Sequence, residues 1–245
     1  MRILHWFRKD LRLDDNPALS EAAHVAQHDV VPFYASDPAW FEQPHMAATR
    51  VRFVLGALTE LSAAIAARGS RLALAHGDPH MDLPPVLMAL AAQVTATGPS
   101  GSRTIAMTDL YTGYYETALA SNELITEVGI PAQDGRRSAY IKCTTRTADD
   151  WPTLGIAVSL VMAGDTVEDA RVVVSAATEK PLRLAGAEAV LHGATVNDAL
   201  LARVGEAAAA EAEMVGDARG SAAYKKELLR VYAGRAVRKA LGSQP

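Results

Sequence analysis

The chain has 245 residues, of which 49% are hydrophobic and 21% charged, with a formal net charge of −4. That composition excludes an intrinsically disordered chain, and its interspersed charges provide no broad basic surface for nucleic-acid phosphates, so nucleic acid is not an expected partner. The single cysteine, Cys143, excludes an intrachain disulfide, and no apolar stretch approaches a membrane span, so a cytoplasmic protein without a membrane partner is expected.

The first expected element is a buried strand, Arg2 to Phe7, followed by a polar loop from Arg8 to Asp15. Asn16-Pro17 is a helix start, and the helix it opens runs to about Gln27. Val30 to Tyr34 reads as a second strand, whose C-terminal edge carries Asp37 and Pro38. Between Ala47 and Arg68, Val51, Leu55, Leu58, Leu61 and Ile65 recur at spacings of three and four, an amphipathic helix stopped by Gly69. Arg71 to Leu74 is the third strand. A βαβαβ start of this kind places ligands at the carboxyl ends of its strands, here beside the Arg8 to Asp15 loop.

Beyond the third strand, an apolar helix runs toward Leu90, and Gln93 to Thr97 and Arg103 to Ala106 form a hairpin about the turn Gly98 to Gly101. His76, Asp78, His80 and Asp82 alternate imidazole and carboxylate, which suggests a metal site. Pro79 and Pro84 break any single helical face, however, and a helix capped by Asp82 is the preferred reading. Tyr140 and Lys142 alternate along a strand, where Lys142 reads on its own as an exposed strand lysine, and Trp151 before Pro152 reads as ordinary packing. Ile156 to Met162 and Ala170 to Ser175, joined through Gly164-Asp165, form an antiparallel pair. Helices follow near Pro181 to Leu191, Val196 to Ala212 and Ser221 to Leu241, the last with Leu228, Val231, Tyr232 and Val237 on one side.

Two resemblances overlie this pattern. Trp6-Phe7-Arg8-Lys9-Asp10-Leu11-Arg12, Asp15-Asn16-Pro17-Ala18-Leu19, Arg52-Phe53 and Gly69-Ser70 resemble the opening of the α/β domain of DNA photolyases and cryptochromes. In that family the domain carries an auxiliary chromophore, while a large helical domain that nothing after Gly77 resembles binds FAD and damaged DNA. The segment implies a partial chromophore- or nucleotide-binding module. Read without the resemblance, Arg8, Asp10, Arg12 and Asp14 form a solvated loop whose charges pair with one another.

The second resemblance begins at Ala75-His76-Gly77-Asp78-Pro79 and continues through Gly113-Tyr114-Tyr115-Glu116-Thr117-Ala118-Leu119, Glu123-Leu124-Ile125, Ser138 to Lys142, Arg146 to Trp151, and Asp217 to Ser221 with Tyr224-Lys225. It looks like the later part of the FAD-binding medium subunit of aerobic carbon monoxide dehydrogenase, a molybdenum hydroxylase. The resemblance implies an FAD-binding electron-transfer subunit, an oxidoreductase component whose partners carry iron–sulfur clusters and molybdopterin. It places Asp82 and Lys142 near the flavin ribityl chain and ring edge, Ile125 in the adenine or ring pocket, and Trp151 near the isoalloxazine.

The two resemblances meet within Leu72 to Pro79. They imply a fold that is α/β plus α+β: a truncated Rossmann-like βαβαβ start over residues 1–75, a partial FAD-binding subdomain over 76–135, and a carbon monoxide dehydrogenase flavoprotein C-terminal α+β domain over 136–245. The medium subunits resembled here hold the FAD pyrophosphate on two glycine-rich loops upstream of the Gly-Asp-Pro segment, where backbone N–H groups approach phosphate without an intervening Cβ. Residues 1–75 contain only Gly56 and Gly69, and no G-x-G-x-x-G occurs anywhere. Impaired FAD binding is therefore expected. The alternatives are a photolyase-related chromophore or nucleotide module and a chimeric protein without retained activity.

Overall fold

The structure is a computed structural model that describes residues 3–8, 10–27, 29–36, 47–76, 79–144 and 151–242. It divides into two compact units, Met1–Pro79 and His80–Pro245. Asp37 and Pro38, expected at a strand edge, lie outside the described residues.

In the first unit, three parallel strands, β1 (Ile3–Phe7), β2 (Val30–Ser36) and β3 (Ala73–His76), lie in the order β1-β2-β3. Helices α1 (Pro17–Val25) and α2 (Ala48–Ala66) connect them. Helix α1 starts where the sequence indicates, because the Asn16 side chain accepts the Leu19 N–H at 3.0 Å and Pro17 presets the first turn. The Asn16 amide also donates to the Arg12 carbonyl at 3.1 Å, which anchors the preceding loop. Phe7, Tyr34, Leu61, Ile65 and Leu72 form the core, with Leu19 and Leu58 packed against it. Only the C-terminal half of the expected α2 stripe is buried, since Leu55 stays exposed. Gly69, at φ 77°, makes the left-handed turn after α2.

Helix α3 (Pro79–Ala89) begins at the last residue of the first unit, leads the second, and continues through Pro84 and Pro85. Both prolines are buried, and packing thus overrides their helix-breaking tendency. Helix α3 packs on the antiparallel sheet β5-β4-β8, built from β4 (Gln93–Gly98), β5 (Gly101–Ala106) and β8 (Leu124–Gly129). A short helix α4 (Met107–Leu110) and the ribbon β6 (Tyr111–Gly113) and β7 (Glu116–Thr117) link β5 to β8.

The rest of the unit is an antiparallel sheet in the order β12-β11-β10-β9, from β9 (Arg136–Cys143), β10 (Leu154–Ala163), β11 (Thr166–Ser175) and β12 (Leu182–Arg183). Residues 182–183, expected to open a helix, instead pair with β11, and the helix α5 starts at Ala185 and ends at Leu191. Helices α6 (Asp198–Glu211) and α7 (Ala222–Ala240) begin on Asn197 and Ser221, whose side chains accept the Leu200 and Tyr224 N–H groups.

This sheet is the middle layer of three. Ile156, Val158, Leu160, Val172 and Val174 face α5, α6 and α7, meeting Leu191, Val204, Leu229 and Val237. On the opposite face Ala157, Val173 and Tyr140 join Leu87, Met88, Val94, Ala96 and Ile105. Each fully buried Val, Leu or Ile contributes roughly 1.5–3 kcal/mol relative to exposure, so β10, covered on both faces, is the energetic centre of the unit. The buried side of α7 runs through Leu229, Ala233, Ala236, Val237 and Ala240 rather than through Val231, which is exposed. Small residues set that face because α6 and α7 approach closely: a Cβ added at Gly205 would lie 2.0 Å from the Arg230 carbonyl oxygen.

Candidate functional site

Strand alternation sorts β9 into two sets. Ala139, Ile141 and Cys143 turn to the helical layer, and burial pushes the Cys143 thiol up to about 11 against the opposing charge of Arg235. Tyr140 and Lys142 turn the other way and meet Asp82 in the first turn of α3. The Tyr140 hydroxyl donates to Asp82 Oδ1 at 2.6 Å, and Lys142 Nζ lies 3.3 Å from Asp82 Oδ2. Tyr140 and Lys142 thus meet different oxygens of one carboxylate. Asp82 does not cap the helix, as expected from sequence, because the helix already begins at Pro79. Nor is Lys142 an exposed strand lysine: its side chain is 13% exposed and that of Asp82 18%.

Gly155 makes this arrangement possible. It pairs across the sheet with Lys142 on β9 and Ser175 on β11. A Cβ at Gly155 would lie 2.7 Å from the Tyr140 hydroxyl oxygen and 2.6 Å from Ser175 Oγ. The tyrosine ring leans over a strand position that only glycine leaves open. Burial first, then the Asp82 charge and hydrogen bond, hold the Tyr140 pKa far above its ordinary value, so the hydroxyl remains a donor throughout the physiological range. Lys142 Nζ is buried and ion-paired, yet it makes no hydrogen bond among the described residues. Its N–H donors remain available to an acceptor.

The other two expected site residues lie in different surroundings. Ile125 sits on the edge strand β8 opposite Ala96 and is 44% exposed. The loop before it is clamped by Arg103, whose guanidinium donates to both oxygens of Glu123 at 2.7 and 2.8 Å and to the Ala118 carbonyl. Glu123 also accepts the Ala120 N–H, and these hydrogen bonds hold its carboxyl down to about 2. Trp151 is 38% exposed, with the Arg219 guanidinium 5.4 Å from its ring centroid.

Arg219 is presented by a latch built from the Asp217 to Lys225 segment. Asp217 accepts the Arg219 N–H at 2.8 Å and ion-pairs with Lys225 at 2.9 Å. The Lys225 side chain is 1% exposed and also donates to the Ala176 carbonyl. Burial pushes the Asp217 carboxyl up, but hydrogen bonds from Lys225 and the Arg219 N–H, with the charges of both side chains, hold it below its ordinary value. The sequence reading assigned no site role to Tyr140 or Arg219. Their signals were the alternation of Tyr140 with Lys142 and the compact Asp217 to Ser221 turn.

In the first unit, a cleft of about 480 Å³ at the C-terminal end of β1 is lined by His5, Trp6, Phe7, Arg8, Asp10, Asn16 and Ala18. The Arg8 guanidinium lies 5.1 Å from the Trp6 ring centroid, and Trp6 meets Phe33 edge to face at 6.2 Å. The loop charges do pair with one another, Arg12 with Asp10 at 3.0 Å and with Asp15 at 3.3 Å. Of the metal-site set, Asp78 and the side chains of His76 and His80 fall outside the described residues. Among the described residues no group of three or more His, Cys, Asp or Glu is placed to hold a metal, and no helix is long and apolar enough to cross a membrane.

By class, the chain joins two kinds of module. Residues 3–98 match the DNA photolyase family, and residues 139–240 match the carbon monoxide dehydrogenase flavoprotein C-terminal domain. Among individual proteins, the glyceraldehyde dehydrogenase medium chain of Sulfolobus acidocaldarius is 30% identical over 159 residues, 65% of this chain and 56% of that one. The deoxyribodipyrimidine photo-lyase of a Synechococcus species is 37% identical over 91 residues, 37% of this chain and 19% of that one. A solved carbon monoxide dehydrogenase from Hydrogenophaga pseudoflava, lacking the Mo-pyranopterin moiety of its molybdenum cofactor, is 34% identical with a TM-score of 0.64, over 68% of this chain and 58% of that one. The chain spans just over half the length of the medium chains it matches. Both resemblances seen in the sequence are thus found again, each over part of the chain, and the fold is the expected α/β plus α+β combination.

Proposed function

We propose that this chain is an FAD-binding, electron-transferring protein of the medium-subunit type found in carbon monoxide dehydrogenase and related molybdenum hydroxylases, with impaired FAD binding. Its three segments are residues 1–75, 76–135 and 136–245, of which the second and third supply the flavin-contacting residues. The observation that carries the reading is the buried Lys142 ammonium, which pairs with Asp82 and makes no hydrogen bond among the described residues. Those residues fit the edge of a flavin ring. A bound flavin supplies electron-transfer chemistry. Lys142 contributes positive charge and N–H donors beside electron-rich ring atoms, Asp82 holds the ammonium, and Tyr140 orients Asp82 by occupying its other oxygen. Ile125 and Trp151 supply apolar and aromatic contact. The phosphate end does not fit: the chain has no two glycines within two residues of each other, so a backbone cradle of the glycine-rich kind is missing. Partner subunits carrying iron–sulfur clusters and molybdopterin belong to the same proposal.

The test is titration of the purified chain with FAD, followed by visible absorbance and flavin fluorescence. Weak, saturable quenching is expected, reduced in Lys142→Met. A folded chain that leaves the flavin spectrum unchanged would overturn the proposal and favour a chimera without retained chemistry. The cleft beside Trp6 and Arg8 favours a second reading, a photolyase-related module for a planar chromophore or nucleotide, since its volume lies within the range of small-molecule sites. Binding that is lost on Trp6→Ala and unaffected by Lys142→Met would select it.

A further inference from the structure

We infer that this chain recognises the flavin ring without recognising the adenosine diphosphate half of FAD, and so binds FAD, FMN and riboflavin with nearly equal strength. The inference rests on the flavin reading above and narrows it to a ligand class. The ring end is built from the second unit's own residues: Asp82, Tyr140 and Lys142 converge over Gly155, and Lys142 Nζ, inside a nearly buried pair, makes no hydrogen bond among the described residues. The phosphate end has no counterpart of that kind among the described residues of the same unit. Its closest pair of glycines, Gly98 and Gly101, closes the β4–β5 turn and pairs within the ladder. The N-termini of α6 and α7 are occupied by Asn197 and Ser221, which accept the N–H groups a phosphate would need. The first turn of α3 carries Asp82, whose charge repels an anion. Three guanidiniums, those of Arg103, Arg136 and Arg183, already face Glu123, Asp169 and Glu188.

The experiment is a set of fluorescence-quenching titrations of the full chain with FAD, FMN and riboflavin, with ADP added as competitor. The expected result is three dissociation constants within about five-fold of one another, with no displacement by ADP. FAD binding tighter than riboflavin by roughly a hundred-fold or more, the contribution of about two charge-assisted hydrogen bonds, would overturn the inference while leaving the flavin reading intact. Displacement by ADP would do the same and would point to an adenine or phosphate site elsewhere on the chain. Quenching by none of the three, in a chain with a cooperative melt, would overturn both. Lys142→Met is expected to weaken all three flavins by the same factor, roughly ten-fold for one charge-assisted contact. Weakening of FAD alone would sink the idea. Tyr140→Phe, which keeps the ring over Gly155, repeats the test with less risk to folding and is expected to weaken all three equally.

Discussion

The sheet of the first unit and the four-stranded sheet of the second differ in how many faces they cover. In the first, both crossover helices lie on one side, as right-handed connections through strands in the order β1-β2-β3 require, and Leu19, Leu58, Leu61 and Ile65 pack with Phe7 and Tyr34 there. The opposite side, bearing Leu4, Trp6, Val31 and Phe33, has no helix of that unit upon it among the described residues, and Leu4 is exposed. Parallel sheets are ordinarily covered on both sides. The second sheet meets that standard although it is antiparallel, with helices on one face and α3 with its small sheet on the other. Strand-forming sequence is equally good in both units. What differs, among the described residues, is the second layer.

The largest effects are expected in the second unit, in its helical core and at its latch. Leu229→Ala should cost about 2–5 kcal/mol in chemical denaturation, whereas Phe53→Ala, at a side chain 75% exposed in the first unit, should stay within about 0.5 kcal/mol. Equal costs would break the comparison. Next comes the latch: Asp217→Ala leaves the buried Lys225 ammonium unpaired and should cost about 3–5 kcal/mol, while Lys225→Met should cost clearly less, because an apolar side chain of similar length tolerates that environment. The Asp217 carboxyl is held below its unfolded value, so its stabilisation is present above the ordinary aspartate pKa of about 3.9 and is lost as pH falls through the depressed folded value. Lys225→Met should therefore flatten the acid limb of a stability–pH curve, and an unchanged limb would remove Asp217 as its source.

Tyr140→Phe should cost about 1.5–3 kcal/mol by removing a hydrogen bond to a charged acceptor, read from thermal or denaturant unfolding. The smallest effect sharpens the edge of the second unit: in Arg103→Ala, the Glu123 pKa should rise from about 2 toward the ordinary glutamate value, followed by carboxyl NMR across an acid titration. A Glu123 that titrates identically in both chains would show that the Ala120 N–H, not Arg103, sets it.

Elements were legible in the sequence where local periodicity and turn chemistry agree. The Asn16-Pro17 helix start, the Gly98 to Gly101 hairpin, the β10–β11 pair and the three C-terminal helices follow from signals within a few residues. The misreadings have physical causes. Pro79 and Pro84 suggested a broken helical face, yet α3 begins at Pro79 and continues through the buried Pro84 and Pro85. Of the α7 stripe, Val237 is buried and Leu228 and Tyr232 pack against the core, while Val231 is exposed; the alanines and glycine that complete the buried face are faint on any hydrophobic stripe. At the site, the proximity of Lys142 to Asp82 came from resemblance. Their ion pair spans 60 positions and depends on Gly155 from a third element, which no local pattern reveals. Trp151 was singled out without its neighbour, since Arg219 reaches it only through the Asp217 latch.

The middle position of the second sheet also sets where the chain tolerates changes of length. Along β9, Tyr140 and Lys142 serve α3 while Ala139, Ile141 and Cys143 serve the helices, so a one-residue deletion would hand ionic side chains to the apolar layer and apolar ones to Asp82. The tip between β10 and β11, where Gly164 turns at φ 61° beside exposed Asp165, carries no such double duty. Extra residues, a tag or a whole inserted domain belong at that tip, and a peptide loop placed there should leave both layers, and the residues between them, in register.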